Sequence, residues 1–299
     1  MKGSLSDPYL AGIYRSTATA LAATSNDDGG VGLNAGLVFT PTETGTFQIA
    51  ARGLVDATGS YRVFVREDDY RSAYGGTGAA GALPLGATGV DGTVNFIGDR
   101  DLFTVALTAG TRYTIDMEGS PTGKGTIGDS YISAIYGPTG TPIAGVLDDD
   151  GGIGNNARVV FTPTVSGDYT ISAGVWGSWT GSYRIFARAD DYKSTFEGNG
   201  VVGAVAPGGS VSGAIESTGD QDFFAVTLTA NHLYRIQQRG SPTGSGTLGD
   251  PYLHGIYNAA GTLQSGSSND DSGGTRNATV DFFAPSSGTY YVAAGAYSS

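Results

Sequence analysis

The 299-residue sequence has no cysteine and only two histidines, two methionines and two tryptophans. Without cysteine there are no disulfides, thiolate zinc sites or thiol nucleophiles, which leaves a metal or core packing as the available staples. His232 and His254 are the sole imidazoles, and no nucleophile motif stands beside either. Their repeat counterparts are Thr111 and Ser133, which argues against His-based catalysis and against an enzyme. Basic residues are few, 16 against 28 acids, and the net charge of −12 repels nucleic acid and anionic lipid. Glutamate is scarce as well: 23 of the 28 acids are Asp, the short carboxylate of turns and calcium loops. No run approaches eighteen apolar residues, and Met1 to Leu10, with one Lys, is not a signal peptide. The sequence predicts a soluble chain without membrane insertion, exported, if at all, through a signal outside these residues.

Glycine is abundant, at 50 residues, and Tyr, Phe, Val and Thr recur in short runs between Gly, Pro, Asn and Asp. That is the profile of many short strands joined by tight turns. The runs repeat. Asp7 to Leu10 returns as Asp129 to Ile132 and as Asp250 to Leu253, offsets of 122 and 121. Asn26-Asp27-Asp28 matches Asp148-Asp149-Asp150 and Asn269-Asp270-Asp271, followed at equal distance by Asn34, Asn156 and Asn277. Gly98 to Phe103 returns once, as Gly219 to Phe224, and Tyr61 to Arg66 returns as Tyr183 to Arg188. Asp68-Asp69-Tyr70 and Asp190-Asp191-Tyr192 precede Gly- and Ala-containing stretches and mark the unit boundaries, with 71–97 and 192–218 as linkers.

In this register 1–70 is the C-terminal half of a module, 71–191 a complete one, and 192–299 one that lacks its last strand. A fragment of a longer multi-repeat polypeptide and a chain built for strand exchange both fit such ends. Within 71–191, alternation and turn residues predict strands at 101–107, 111–118, 131–136, 141–147, 156–162, 168–174 and 182–188. The expected fold class is all-β, as tandem jelly-roll-like β-sandwich modules. Phe103, Tyr113, Phe161, Tyr169 and Tyr183 fall in these runs and are expected in the core.

The order Gly-Asp-x-Asp-x-Phe, then Gly119 to Gly123, then Asp-Pro-Tyr-Leu, the Asp loop and Ser-Gly-x-Tyr resembles the bacterial pre-peptidase C-terminal domain across nearly the whole chain. The resemblance departs at both ends, where parts of the module are missing. It implies a jelly-roll sandwich, found as an accessory unit on secreted peptidases and in large type I-secreted surface proteins. It further implies calcium in some relatives and polymeric substrates in others, and a secreted or cell-surface bacterial location.

Calcium is the specific chemistry the residues themselves allow, because hard carboxylate and carbonyl oxygens can gather where glycine lets a loop turn inward. Asp148, Asp149 and Asp150, before Gly151 and Gly152, form the first candidate, with Asp27, Asp28, Asp270 and Asp271 in the other copies. A solvated turn explains the same residues, and the spacing is not that of an EF-hand. Asp7, Asp129 and Asp250 are second-choice ligands; Asp99, Asp101, Asp220 and Asp222, opening a strand, cap a turn or hold a separate ion. Trp176 and Trp179 lie in one loop, either as a ligand platform or as loop packing. The expected function is a non-enzymatic, extracellular, calcium-binding array with a structural, adhesive or self-assembling role. Its expected partners are an extracellular polymer or protein, and copies of itself joined through the incomplete modules. The alternative is an accessory substrate-binding region of a secreted peptidase or other hydrolase.

Overall fold

Strands and turns make up nearly the whole architecture. The computed structural model describes residues 3–15, 19–217, 219–272 and 274–297. Among these, helix is confined to two 3-10 turns, Ser120–Thr122 and Ser241–Thr243, both in the repeated Gly-Ser-Pro-Thr-Gly.

The N-terminal part contributes β1 (Pro8–Arg15) and β2 (Phe47–Gly53), an antiparallel pair. The central part supplies β3 (Gly81–Ala82), β4 (Val90–Val94), β5 (Asp101–Leu107), β6 (Tyr113–Glu118) and β7 (Ser130–Tyr136). It continues with β8 (Ala157–Phe161), β9 (Gly167–Val175) and β10 (Gly181–Ala189). These form two four-stranded sheets, β3-β5-β9-β7 and β4-β10-β6-β8. Period-two alternation decides which residues face inward. Along β5, Phe103, Val105 and Leu107 are buried while Ala106 is exposed; they meet Tyr113, Ile115 and Met117 of β6 and Ile132, Ile171 and Ile185 in one core. Each large side chain so buried stabilises the fold by roughly 1.5–3 kcal/mol.

The C-terminal part repeats the plan with β11 (Gly203–Ala204), β12 (Gln221–Leu228), β13 (Leu233–Gln238), β14 (Pro251–Asn258), β15 (Ala278–Phe283) and β16 (Gly288–Ala296). One sheet is complete, β11-β12-β16-β14, and the other is the pair β13-β15 around a second core. A β-bulge recurs at Leu10/Gly12, Ile132/Ala134 and Leu253/Gly255, so β1, β7 and β14 bend at one register position. Residues 61–66, the counterpart of β10, lie outside any strand, and Phe64 and Val65 are exposed.

Two expectations differ from the structure. Residues 141–147 form no strand: Gly140 and Gly145, at φ +81° and +75°, turn the chain, leaving isolated bridges Tyr136–Pro142 and Ile132–Asp148 while Ile143 and Val146 still pack on the core. The stretch 71–97 is not merely a linker, since it carries β3 and β4 and buries Leu83 and Val94. Two residues of Gly-Ala leave no alternation to read, and Gly92 interrupts it in β4.

Candidate metal centre

At the start of the central sandwich, β5 brings Asp101 onto the buried face that it shares with Phe103. Asp101 Oδ2 accepts a hydrogen bond from Tyr183 Oη at 2.5 Å, whereas Oδ1 is buried without a partner. Asp68 and Asp69 arrive from the connector, and one oxygen from each lies within 4.8 Å of the others and of an Asp101 oxygen. The cluster is held open by neutral donors. Asp69 accepts from Thr93 N at 2.8 Å and Asn95 Nδ2 at 2.7 Å; Asp99 accepts from Asn95 N at 2.6 Å and Ser72 Oγ at 3.2 Å. Ser72 Oγ also donates to Asp68 Oδ2 at 2.7 Å. Burial pushes the Asp101 carboxyl up to about 8, and burial likewise raises Asp69 and Asp99.

The same arrangement returns one repeat later. Asp190, Glu216, Asp220 and Asp222 place one oxygen each within 4.8 Å of one another. Asp190 Oδ1, Glu216 Oε2 and Asp222 Oδ1 are buried without partners, and Asp222 is 3% exposed. Asp191 joins from the connector, its Oδ2 accepting from Ala214 N at 3.0 Å. Burial pushes Glu216 up to about 9 and Asp222 to about 8, with the charges of Asp191 and Asp220 adding to both. Carboxylates gathered out of water repel one another unless protons or a cation neutralise them. The donors are all oxygens, as a hard cation of the calcium type takes, and buried oxygens without hydrogen bonds are positions that such an ion satisfies.

The acidic loops are built differently. Asp148 Oδ1 accepts backbone hydrogen bonds from Gly151 at 2.6 Å and Arg158 at 2.8 Å. Asn26 does the same for Gly29 and Gly36, and Asn269 accepts from Ser272 Oγ and Thr279 N. The first loop position is thus a turn fixture that Asn fills equally. Asn156 and Asn277 hold the 3-10 turns, accepting from Gly119 and Gly240 at 2.8 and 2.9 Å. Asp149 and Asp150 bear instead on Asp129, whose carboxyl is raised by burial first and then by Asp150. Asp129 Oδ1, like Asp7 Oδ1 and Asp250 Oδ1, is buried without a partner, and Asp250 Oδ2 lies 3.6 Å from Arg276. In the loop after β1, Asp27 is half-buried and Asp28 exposed; in the loop after β14, Asp270 Oδ1 accepts from Asp271 N at 2.7 Å.

Trp176 and Trp179 are exposed in the β9–β10 turn, with Trp176 edge-on to Tyr131 at 5.2 Å and the Arg100 guanidinium over the Tyr131 ring at 5.7 Å. His232 is exposed in the turn before β13, and burial lowers the His254 imidazole, in β14, below its usual value.

Sequence reasoning included Asp99, Asp101, Asp220 and Asp222 but passed over Asp68, Asp69, Asp190, Asp191 and Glu216. The Asp-Asp-Tyr recurrence at an offset of 122 was the available signal; it reads as a boundary until the fold brings it against β5 and β12.

Two facing sheets with a carboxylate cluster at the opening strand define an all-β sandwich module with no catalytic constellation among the described residues. The family model of the bacterial pre-peptidase C-terminal domain matches residues 99–173, within the central unit. The match begins at Asp99 and so takes in only Asp99 and Asp101 of the central cluster. Among solved structures, the pre-peptidase C-terminal domain of collagenase from Bacillus anthracis is similar at 14% identity, over 42% of this chain and 99% of that one, with a TM-score of 0.29. No curated protein matches the chain. No helix of the described residues is long and apolar enough to cross a membrane.

Proposed function

We propose that the chain is an extracellular, non-enzymatic array of β-sandwich modules in which calcium binds the acid cluster at the start of each module, with a structural or adhesive role. The observation that carries this reading is the pair of repeat-equivalent oxygens, Asp101 Oδ1 and Asp222 Oδ1, each buried without a hydrogen bond on a residue that clusters with further carboxylates. Asp68, Asp69, Asp99 and Asp101 would hold one ion, and Asp190, Asp191, Glu216, Asp220 and Asp222 another. Calcium supplies charge neutralisation there and ties each connector to the sheet that follows it. Asp129 with Asp149 and Asp150 is a second-choice site. Thermal unfolding tests the proposal: calcium at a hundred times its Kd raises folded stability by about 2.7 kcal/mol, and chelator reverses the gain. Magnesium substitutes poorly, because it demands a smaller octahedral shell.

A second reading, an accessory region that binds the substrate of a secreted hydrolase, is supported by the exposed Trp176 and Trp179 and by the Tyr131 ring beside Trp176. Loss of binding to an extracellular polymer on Trp176→Ala with Trp179→Ala, without loss of stability, is its test.

A further inference from the structure

A turn of the central unit reaches into the acid cluster of the next. From the residue just before β6, Arg112 Nη1 donates to Asp220 Oδ1 at 3.1 Å and Ser194 Oγ at 2.8 Å, and Nη2 donates to Ser217 Oγ at 3.1 Å. The Arg112 side chain is 26% exposed and that of Asp220 only 1%. Asp190 N bonds to the Arg112 carbonyl at 2.9 Å, and the neighbouring Gly110, at φ +80°, lies against Asn199. The central unit thus touches the connector and the third unit at one place.

The charges at that place are matched. The third cluster carries Glu216 where the central one has Asn95, an additional carboxylate, and Arg112 brings an additional cation. Among the described residues no Lys or Arg pairs with Asp68, Asp69, Asp99 or Asp101. A guanidinium stays charged at every relevant pH and presents a fixed fork, so it serves as a tethered substitute for a bound ion.

We propose that Arg112 is such a tethered cation: it locks the central unit onto the third through Asp220 and competes there with calcium. The competition rests on the calcium reading above; the lock does not. Arg112 engages Asp220 while Asp190 Oδ1, Glu216 Oε2 and Asp222 Oδ1 remain unpartnered. A divalent ion drawn to those three oxygens meets a fixed positive charge beside them. The third cluster therefore binds calcium more weakly with Arg112 in place than without it, and arrival of the ion loosens the hold of Arg112.

The test uses the full chain carrying Asp101→Asn, which silences the central cluster, with and without Arg112→Gln. In calcium-free buffer, Arg112→Gln is expected to speed amide hydrogen exchange about tenfold at residues 190–199 and 214–217 while leaving β5 and β9 unchanged. Unchanged exchange at the junction overturns the lock. In calorimetric titration, Arg112→Gln is expected to bind calcium about three- to tenfold more tightly; equal or weaker binding overturns the competition. Arg112→Lys, which keeps the charge and loses the fork, is expected to exchange fast yet bind calcium as weakly as the arginine chain. Calcium heat missing from all three chains overturns the competition together with the calcium reading of the third cluster, and the exchange arm still decides the lock.

Discussion

Tyr183 on β10 donates its hydroxyl to Asp101 Oδ2 on β5 at 2.5 Å, joining the two sheets of the central sandwich at the edge of the acid cluster. Both residues are fully buried, and Gly92 on β4 makes the contact feasible, because a Cβ there would collide with the phenol. The bond fixes one carboxylate oxygen and leaves Oδ1 for the cluster.

Tyr183→Phe keeps the ring and removes that donor. Leaving Asp101 Oδ2 buried without its partner is expected to destabilise the metal-free chain by about 1–3 kcal/mol. It also removes a bond that favours the ionised carboxyl, so calcium is expected to bind more weakly. Denaturant unfolding in chelator and in calcium measures both effects.

The clusters set the pH dependence. Asp101, raised by burial to about 8, keeps its proton in the folded chain over a window from about 4 to about 8 in which the unfolded chain has lost it. The folded state then binds more protons, so stability falls as pH rises through that window. Asp222, at about 8, and Glu216, at about 9, act in the same direction and carry the decline towards pH 9. With calcium the trend is expected to weaken or reverse, since the ion binds the deprotonated form and releases protons. Melting curves between pH 5 and 9, with and without chelator, measure the slopes; Asp101→Asn makes the metal-free one shallower, and Asp222 and Glu216 keep the remainder.

Position 148 tests the structural account of the loops. Asp148→Asn retains the acceptor for the Gly151 and Arg158 amides, as Asn26 does in its copy, and is expected to change stability by less than about 0.5 kcal/mol. Asp148→Ala removes the acceptor and is expected to cost about 0.5–2 kcal/mol. Urea unfolding of the two variants separates a turn fixture from an ion ligand, for which both substitutions would be severe in calcium.

Much of this was legible in the sequence. Alternation marked β5 to its end residues, Asp101 and Leu107, and the recurrence of Asp-Pro-Tyr-Leu gave the register of the units. The two-residue β3 and the Gly-interrupted β4 were hidden, because a strand must be long enough to alternate before it can be read. The acid cluster was half visible. Asp99 and Asp101 announce themselves beside a glycine, but Asp68 and Asp69 lie about thirty residues away in sequence, and only the pairing of β4 with β10 and of β3 with β5 brings the connector against them. The role of Arg112 had no sequence signal, since its partners lie in the following unit.

Strand pairing leads to a further expected outcome. In the central unit β10 is bonded between β4 and β6; among the described residues β13, the counterpart of β6, has a strand on one side only, and Tyr61 to Arg66 pairs with none. We propose that residues 61–66 of one copy add along β13 of another, head to tail. Light scattering on residues 1–299 is expected to show mass rising with concentration, and a chain starting at Arg71 is expected to stay monomeric. A constant monomer for both removes this idea.

The central claim, that the buried cluster acids hold calcium, meets its most direct test in isothermal titration of the full chain with calcium, beside a chain carrying Asp101→Asn and Asp222→Asn. The account predicts saturable binding at both clusters, and loss of both in the double variant while Asp149→Asn with Asp150→Asn leaves them in place. Absence of binding heat in the unaltered chain, or binding that survives the double variant and disappears with the loop acids, would contradict it.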